Sequence, residues 1–248
     1  MPSIIGVIGG SGFYSLGNES DSIATQVLTS FSDDPVKMDK ESIAGRDTFF
    51  LTRHGKSHGI PPHKVNYRAN LKALQESGVE GIIAVNVVGG ITAAMAPGCI
   101  VIPDQIIDYT WGRQHTYFDE LDAPENHIDF SWPYDLTLRT ILAESAASLA
   151  VTVEQGGVYG CTQGPRLESA AEILRLKNDG CDIVGMTAMP EAALARELQI
   201  PYASIALVVN WAAGLTDEEI SFADISSTLD EGIGKIRQII LSVLTALP

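Results

Sequence analysis

The chain has 248 residues and carries 16 Lys and Arg against 31 Asp and Glu, a formal net charge of −15. That balance excludes a surface built for nonspecific contact with nucleic acid or anionic membrane, so any phosphate site must be assembled locally. The three cysteines, Cys99, Cys161 and Cys181, are odd in number and form no Cys-x-x-Cys pair, and the expectation is reduced core thiols in a cytoplasmic protein, without a metal or disulfide framework.

No basic segment with a long apolar core opens the sequence, and no run reaches about 18 apolar residues, so neither export nor a membrane span is expected. Residues 3–8 read as a strand entering Gly9-Gly10-Ser11-Gly12, a turn whose amides and Ser11 hydroxyl could hold an anion or serve structure alone. A dinucleotide fingerprint would place glycine where Ser15 stands, which makes a dehydrogenase the weaker alternative. Residues 47–52 form the next expected strand, ending in Arg53-His54-Gly55 with His58, His63 and Lys64 close behind. His54 and His58 have the spacing of a helical zinc pair, but Gly55, Gly59, Pro61 and Pro62 exclude the helix, and an anion-binding loop fits better.

A helix is expected over 66–77, then a strand over 81–85 that turns at Gly89-Gly90. Another strand spans 99–103. The segment 111–133 has no period yet holds Trp111, Tyr117, Phe118, Phe130 and Trp132, a composition that argues for packing rather than disorder. A helix over 136–149 and a strand over 151–161 lead into Thr162-Gln163-Gly164-Pro165-Arg166-Leu167-Glu168. Glu168 alone is a first-turn carboxylate of a helix over 168–177, favoured by the dipole. A strand over 182–185 ends in Met186-Thr187, and Pro190 opens a helix to Leu198. The apolar run from Ile205 then stops on one carboxamide, Asn210, where a buried parallel strand would deliver a ligand-facing group. A last helix carries Ile225, Leu229, Ile233, Ile236, Ile240 and Val243 as a core stripe. Strands and helices alternate throughout, without repeat or linker, so the expected fold is α/β and the expected unit a single domain over 1–248.

Gly-Gly-Ser-Gly-Phe-Tyr at 9–14, Arg-His-Gly at 53–55, His-Lys-Val-Asn-Tyr-Arg-Ala-Asn at 63–70, Gln-Gly-Pro-Arg at 163–166 and Gly-Met-Thr at 185–187 occur in one order. Together they resemble the trimeric purine nucleoside phosphorylase and methylthioadenosine phosphorylase family. The resemblance implies a three-layer α/β phosphorylase fold, with a mixed, largely parallel sheet flanked by helices. It also implies phosphorolysis of a purine nucleoside by inorganic phosphate, a co-substrate, with no metal or organic cofactor. It carries Ser11, Arg53, His54, the backbone at Val87 and Thr187 into the phosphate site, and makes Asn210 and His54 the catalytic residues. Asn86 stands where methylthioadenosine phosphorylases carry threonine. Leu167, Glu168, Met186, Asn210, Trp211, Ala212 and Ala223 would line the nucleoside site, with His127 reaching in from the neighbouring subunit of a homotrimer.

Adenine-selective relatives carry an Asp-x-Asp pair at Asn210-Trp211-Ala212 and serine at Glu168. Glu168 can accept the N1–H of a 6-oxopurine while Asn210 donates to O6, whereas adenine would leave a buried acceptor unpaired. Relatives that take ordinary nucleosides place histidine near the 5'-hydroxyl, where this chain has Ala223, and no histidine lies beyond His127. Phe222, Ala223 and Ile225 suggest an apolar 5'-methylthio pocket. The expected substrate is S-methyl-5'-thioinosine, against a general inosine and guanosine phosphorylase, a methylthioadenosine phosphorylase, or a noncatalytic nucleoside sensor.

Overall fold

A computed structural model describes residues 2–17, 22–119, 127–216 and 222–246, with the backbone alone for 222–227. The strands are β1 (Ile5–Gly9), β2 (Ile23–Val27), β3 (Val36–Ile43), β4 (Arg46–Thr52), β5 (Gly81–Gly90), β6 (Ile100–Ile102), β7 (Gln105–Asp108), β8 (Glu154–Gln155), β9 (Val158–Cys161), β10 (Ile183–Gly185) and β11 (Tyr202–Trp211). The helices are α1 (Tyr67–Glu76), α2 (Leu136–Ser148), α3 (Ala170–Asn178), α4 (Ala188–Glu197) and α5 (Phe222–Ala246). No helix among the described residues is long and apolar enough to cross a membrane.

The sheet runs β2-β3-β4-β1-β5-β10-β9-β7, with β11 also on β5, β6 on β11 and β8 on β6. Its centre, β4-β1-β5-β11, is parallel, and β10 meets β5 antiparallel. Side chains alternate across these strands, which divides the core in two. Ile8, Ile82, Ala84 and Val208 pack with Leu71 and Leu74 of α1 and Ala192 and Leu194 of α4. Val7, Ile83, Val85, Ile205 and Leu207 face Leu138 and Leu142 of α2 and Ile236, Ile240 and Val243 of α5. The result is the three-layer α/β arrangement expected, with a mixed, largely parallel sheet.

Several boundaries differ from expectation. β5 does not turn at Gly89-Gly90 but runs through them, because both glycines admit close neighbours: a Cβ on Gly90 would lie 1.8 Å from the Met95 carbonyl oxygen. The expected strand over 151–161 is two strands, broken where Gly156 and Gly157 take φ values of +120° and +117°. The β2-β3-β4 meander extends the single strand expected over 47–52, and its β2 is largely exposed, so an apolar run did not mark it. Helix α3 begins after Glu168: Ser169 is the N-cap, and its side chain and that of Glu172 close a capping box. Glu168 is therefore outside the helix, on the loop before it.

Candidate active site

The site originates in a gap along one edge of β5. That edge carries β1 over Gly81–Ala84 and β10 over Gly89–Gly90, while the other edge pairs with β11. The Ile82 amide bonds the Pro201 carbonyl, on the β11 side, and the Val85 carbonyl accepts Arg53 Nη1 at 3.1 Å on the opposite side. Backbone groups of a strand alternate between its edges, so the polar groups of Val87 face the same gap as those of Val85. Into it the carboxyl ends of β1 and β4 bring Ser11, Arg53 and His54, and β10 brings Met186 and Thr187. A cavity of about 730 Å³ opens there. It lies where the sheet changes its pattern of connection, the usual place for a ligand in such folds.

At one end the lining is polar. Gly10 lets the first loop press on β5, since a Cβ there would lie 2.7 Å from the Val85 carbonyl oxygen. Arg53 lines the cavity but is only 1 % exposed. Its Nε and Nη2 each lie 2.7 Å from the Glu191 carboxylate, which also accepts from the Tyr202 hydroxyl at 2.9 Å. Burial works against the guanidinium, but Glu191 outweighs it and raises its pKa. The planar cation expected to offset an anion is thus already neutralised by a carboxylate, and Glu191 gave no sequence signal beyond one acid in an alanine-rich helix.

His54 Nδ1 lies 2.7 Å from the Ile60 carbonyl. A carbonyl only accepts, so Nδ1 carries hydrogen, and Nε2 of the neutral ring is left as an acceptor. Burial, and then the Arg53 charge, lower the His54 pKa to about 4, so the ring is neutral near pH 7. Asn86 on β5 donates Nδ2 to Thr187 Oγ1 at 2.8 Å, and Ser204 on β11 donates to Asn86 Oδ1 at 2.7 Å. Among the described residues no group of three or more His, Cys, Asp or Glu is placed to hold a metal ion.

The other end carries Glu168 and Asn210. The pairing of β11 with β5 slips between Val208 and Asn210, leaving Val209 as an extra residue. Such a bulge re-aims the side chain that follows. Asn210 lines the cavity, and its Nδ2 donates to the Trp211 carbonyl at 2.7 Å. Glu168 accepts the Thr162 hydroxyl on Oε1 at 2.6 Å, and no donor among the described residues meets Oε2. Leu167, Met186 and Ala212 also line the cavity, with Met186 Sδ packed where a Cβ on Gly164 would be.

Trp211 departs from expectation: it is half-buried and does not line the cavity. Ala223 falls in the first turn of α5, and its side chain lies outside the described residues. His127 is exposed and does not line this cavity. Leu229, read from the sequence as core, packs against that core and also lines the cavity, where it abuts Gly12. Sequence reasoning also missed Arg113, which is 8 % exposed and donates to the carbonyls of Thr162, Gln163, Met186 and Met189. One guanidinium thereby ties the Glu168 loop to the Thr187 loop. Its position in a segment without periodicity offered no signal.

Comparison with known proteins places these features in a family context. The family model described as Phosphorylase superfamily matches residues 4–245. A Pseudomonas syringae protein named "Probable S-methyl-5'-thioinosine phosphorylase" is 47 % identical over 98 % of this chain and 99 % of its own. A Pyrococcus furiosus protein named "6-oxopurine nucleoside phosphorylase" is 41 % identical over 100 % of this chain and 94 % of its own. Among solved structures, methylthioadenosine phosphorylase from Schistosoma mansoni in complex with adenine superposes with a TM-score of 0.89 at 29 % identity, covering 97 % of this chain and 90 % of that one.

Proposed function

This chain belongs to the phosphorylase superfamily, and from that premise we propose that it cleaves S-methyl-5'-thioinosine with inorganic phosphate, giving hypoxanthine and 5-methylthioribose 1-phosphate. The observation that carries the base, a 6-oxopurine, is the pairing of Glu168 and Asn210 in one cavity with Ser11, His54 and Thr187. A free carboxylate oxygen on Glu168 accepts N1–H of a 6-oxopurine, and the Asn210 amide donates to O6 or N7. The names and identities of the Pseudomonas and Pyrococcus relatives support a 6-oxopurine.

Phosphate held by Ser11, the Val87 amide and Thr187 stands beside the anomeric carbon. An oxygen of monohydrogen phosphate bonds that carbon as the bond to the base nitrogen breaks, and the electron pair leaves with the purine. His54 Nε2 accepts from the remaining phosphate hydroxyl and orients it, and that proton balances the departing base. Hydrogen bonds from Asn210 strengthen as charge builds on the purine, which is where they accelerate the reaction. No metal or organic cofactor is required. We place the reaction in a cytoplasmic homotrimer in which His127 completes the neighbouring site.

A general 6-oxopurine nucleoside phosphorylase is the second reading, because it would use the same Glu168 and Asn210. Phosphorolysis rates for methylthioinosine, inosine, guanosine and methylthioadenosine separate the readings. Methylthioinosine is expected to react fastest. Comparable turnover of inosine would favour the second reading, a preference for methylthioadenosine would overturn both, and binding without phosphate-dependent release of base would indicate a sensor.

A further inference from the structure

We propose that Ser204 and Asn86 are positioning residues that turn the Thr187 hydroxyl into a fixed donor to phosphate, an inference that rests on the function proposed above. Ser204 lies in the apolar run of β11, fully buried, and its described hydrogen bond is the one to Asn86 Oδ1 at 2.7 Å. Asn86, 1 % exposed, has its amide nitrogen toward Thr187 Oγ1, 2.8 Å away. A hydroxyl has one hydrogen. Because Asn86 occupies a lone pair of Thr187, that hydrogen is left for another acceptor, either a ligand in the cavity or the buried Tyr159 hydroxyl beside it, which meets no other hydrogen-bond partner among the described residues.

Its place directs that hydrogen to the cavity: Thr187 lines the cavity, whereas Ser204 and Asn86 do not. The opposite orientation of the Asn86 amide would draw the Thr187 hydrogen onto Asn86 and away from the ligand. Ser204 donates from the far side to Asn86 Oδ1, the bond that accompanies the productive orientation. Asn86 thus contributes to phosphate affinity without touching phosphate, bridging β11 and Thr187.

The test is a double-mutant cycle on the full chain, read as the Kd of inorganic phosphate by calorimetry, with melting temperatures recorded without phosphate. Ser204→Ala is expected to weaken phosphate binding roughly three- to tenfold, with nucleoside KM unchanged. Thr187→Val should weaken it at least as much. In the Thr187→Val background, Ser204→Ala should cause no further loss, because the donor it orients is gone. Wild-type affinity in Ser204→Ala or in Thr187→Val, or a full additive loss in the double variant, would overturn the relay; a merely structural serine would give that additive loss. If the cycle behaves as expected but phosphate supports no release of base, the relay stands and the proposed reaction fails. If base is released and the cycle is additive, the relay alone fails.

Discussion

Asn210 and Glu168 show how far one residue can be read before it is seen. Both were legible as candidates, an amide ending an apolar run and an acid after Gln-Gly-Pro-Arg, but their placement was not. The bulge at Val209 and the capping box at Ser169 are local backbone choices that aim these side chains, and no hydrophobic period records them. Asn210→Asp is expected to shift kcat/KM away from methylthioinosine and toward methylthioadenosine by roughly ten- to a hundredfold, about 1 to 3 kcal/mol, as a competitive substrate assay would measure. His54 makes a different prediction. Its pKa is about 4 in the folded chain against an ordinary 6.5, so the unfolded chain binds more protons between those values. Stability should therefore fall as pH drops from about 6.5 to about 4, and denaturant titrations of His54→Gln should show a shallower slope across that window.

The elements were easier to anticipate where burial is one-sided or complete. Helices α1, α2 and α5 and strands β1, β5 and β11 carry the apolar patterns that announce them. The meander strand β2 does not, since it is mostly exposed, and the site loops do not, since hydrogen bonds rather than apolar contacts hold them. The first loop is a case of such local restraint. Gly12 has φ +76°, and a Cβ there would lie 2.7 Å from Leu229 of α5. Gly12→Ala is expected to destabilise the fold by about 1 to 3 kcal/mol and to raise the phosphate KM through Ser11; chemical denaturation and initial rates check both.

The molecule as a whole joins an acidic chain to a proposed phosphate site without net positive charge, because Glu191 cancels Arg53 inside the core. Breaking that buried pair should be costly: Glu191→Gln is expected to lose about 3 to 5 kcal/mol on denaturation, as it leaves a buried cation without its partner. With −15 charges on the chain, inert salt should lower the apparent KM for phosphate over the range where screening grows, the reverse of a basic protein. The edge gap of β5 carries a last consequence. Between β1 and β10 the central strand has backbone groups that no strand among the described residues pairs, and a phosphate oxygen accepting from the Val87 amide would take the place of a missing ladder partner. The co-substrate then acts as a removable rung, and the Val87 amide should exchange with deuterated solvent slowly when phosphate is present and faster when it leaves.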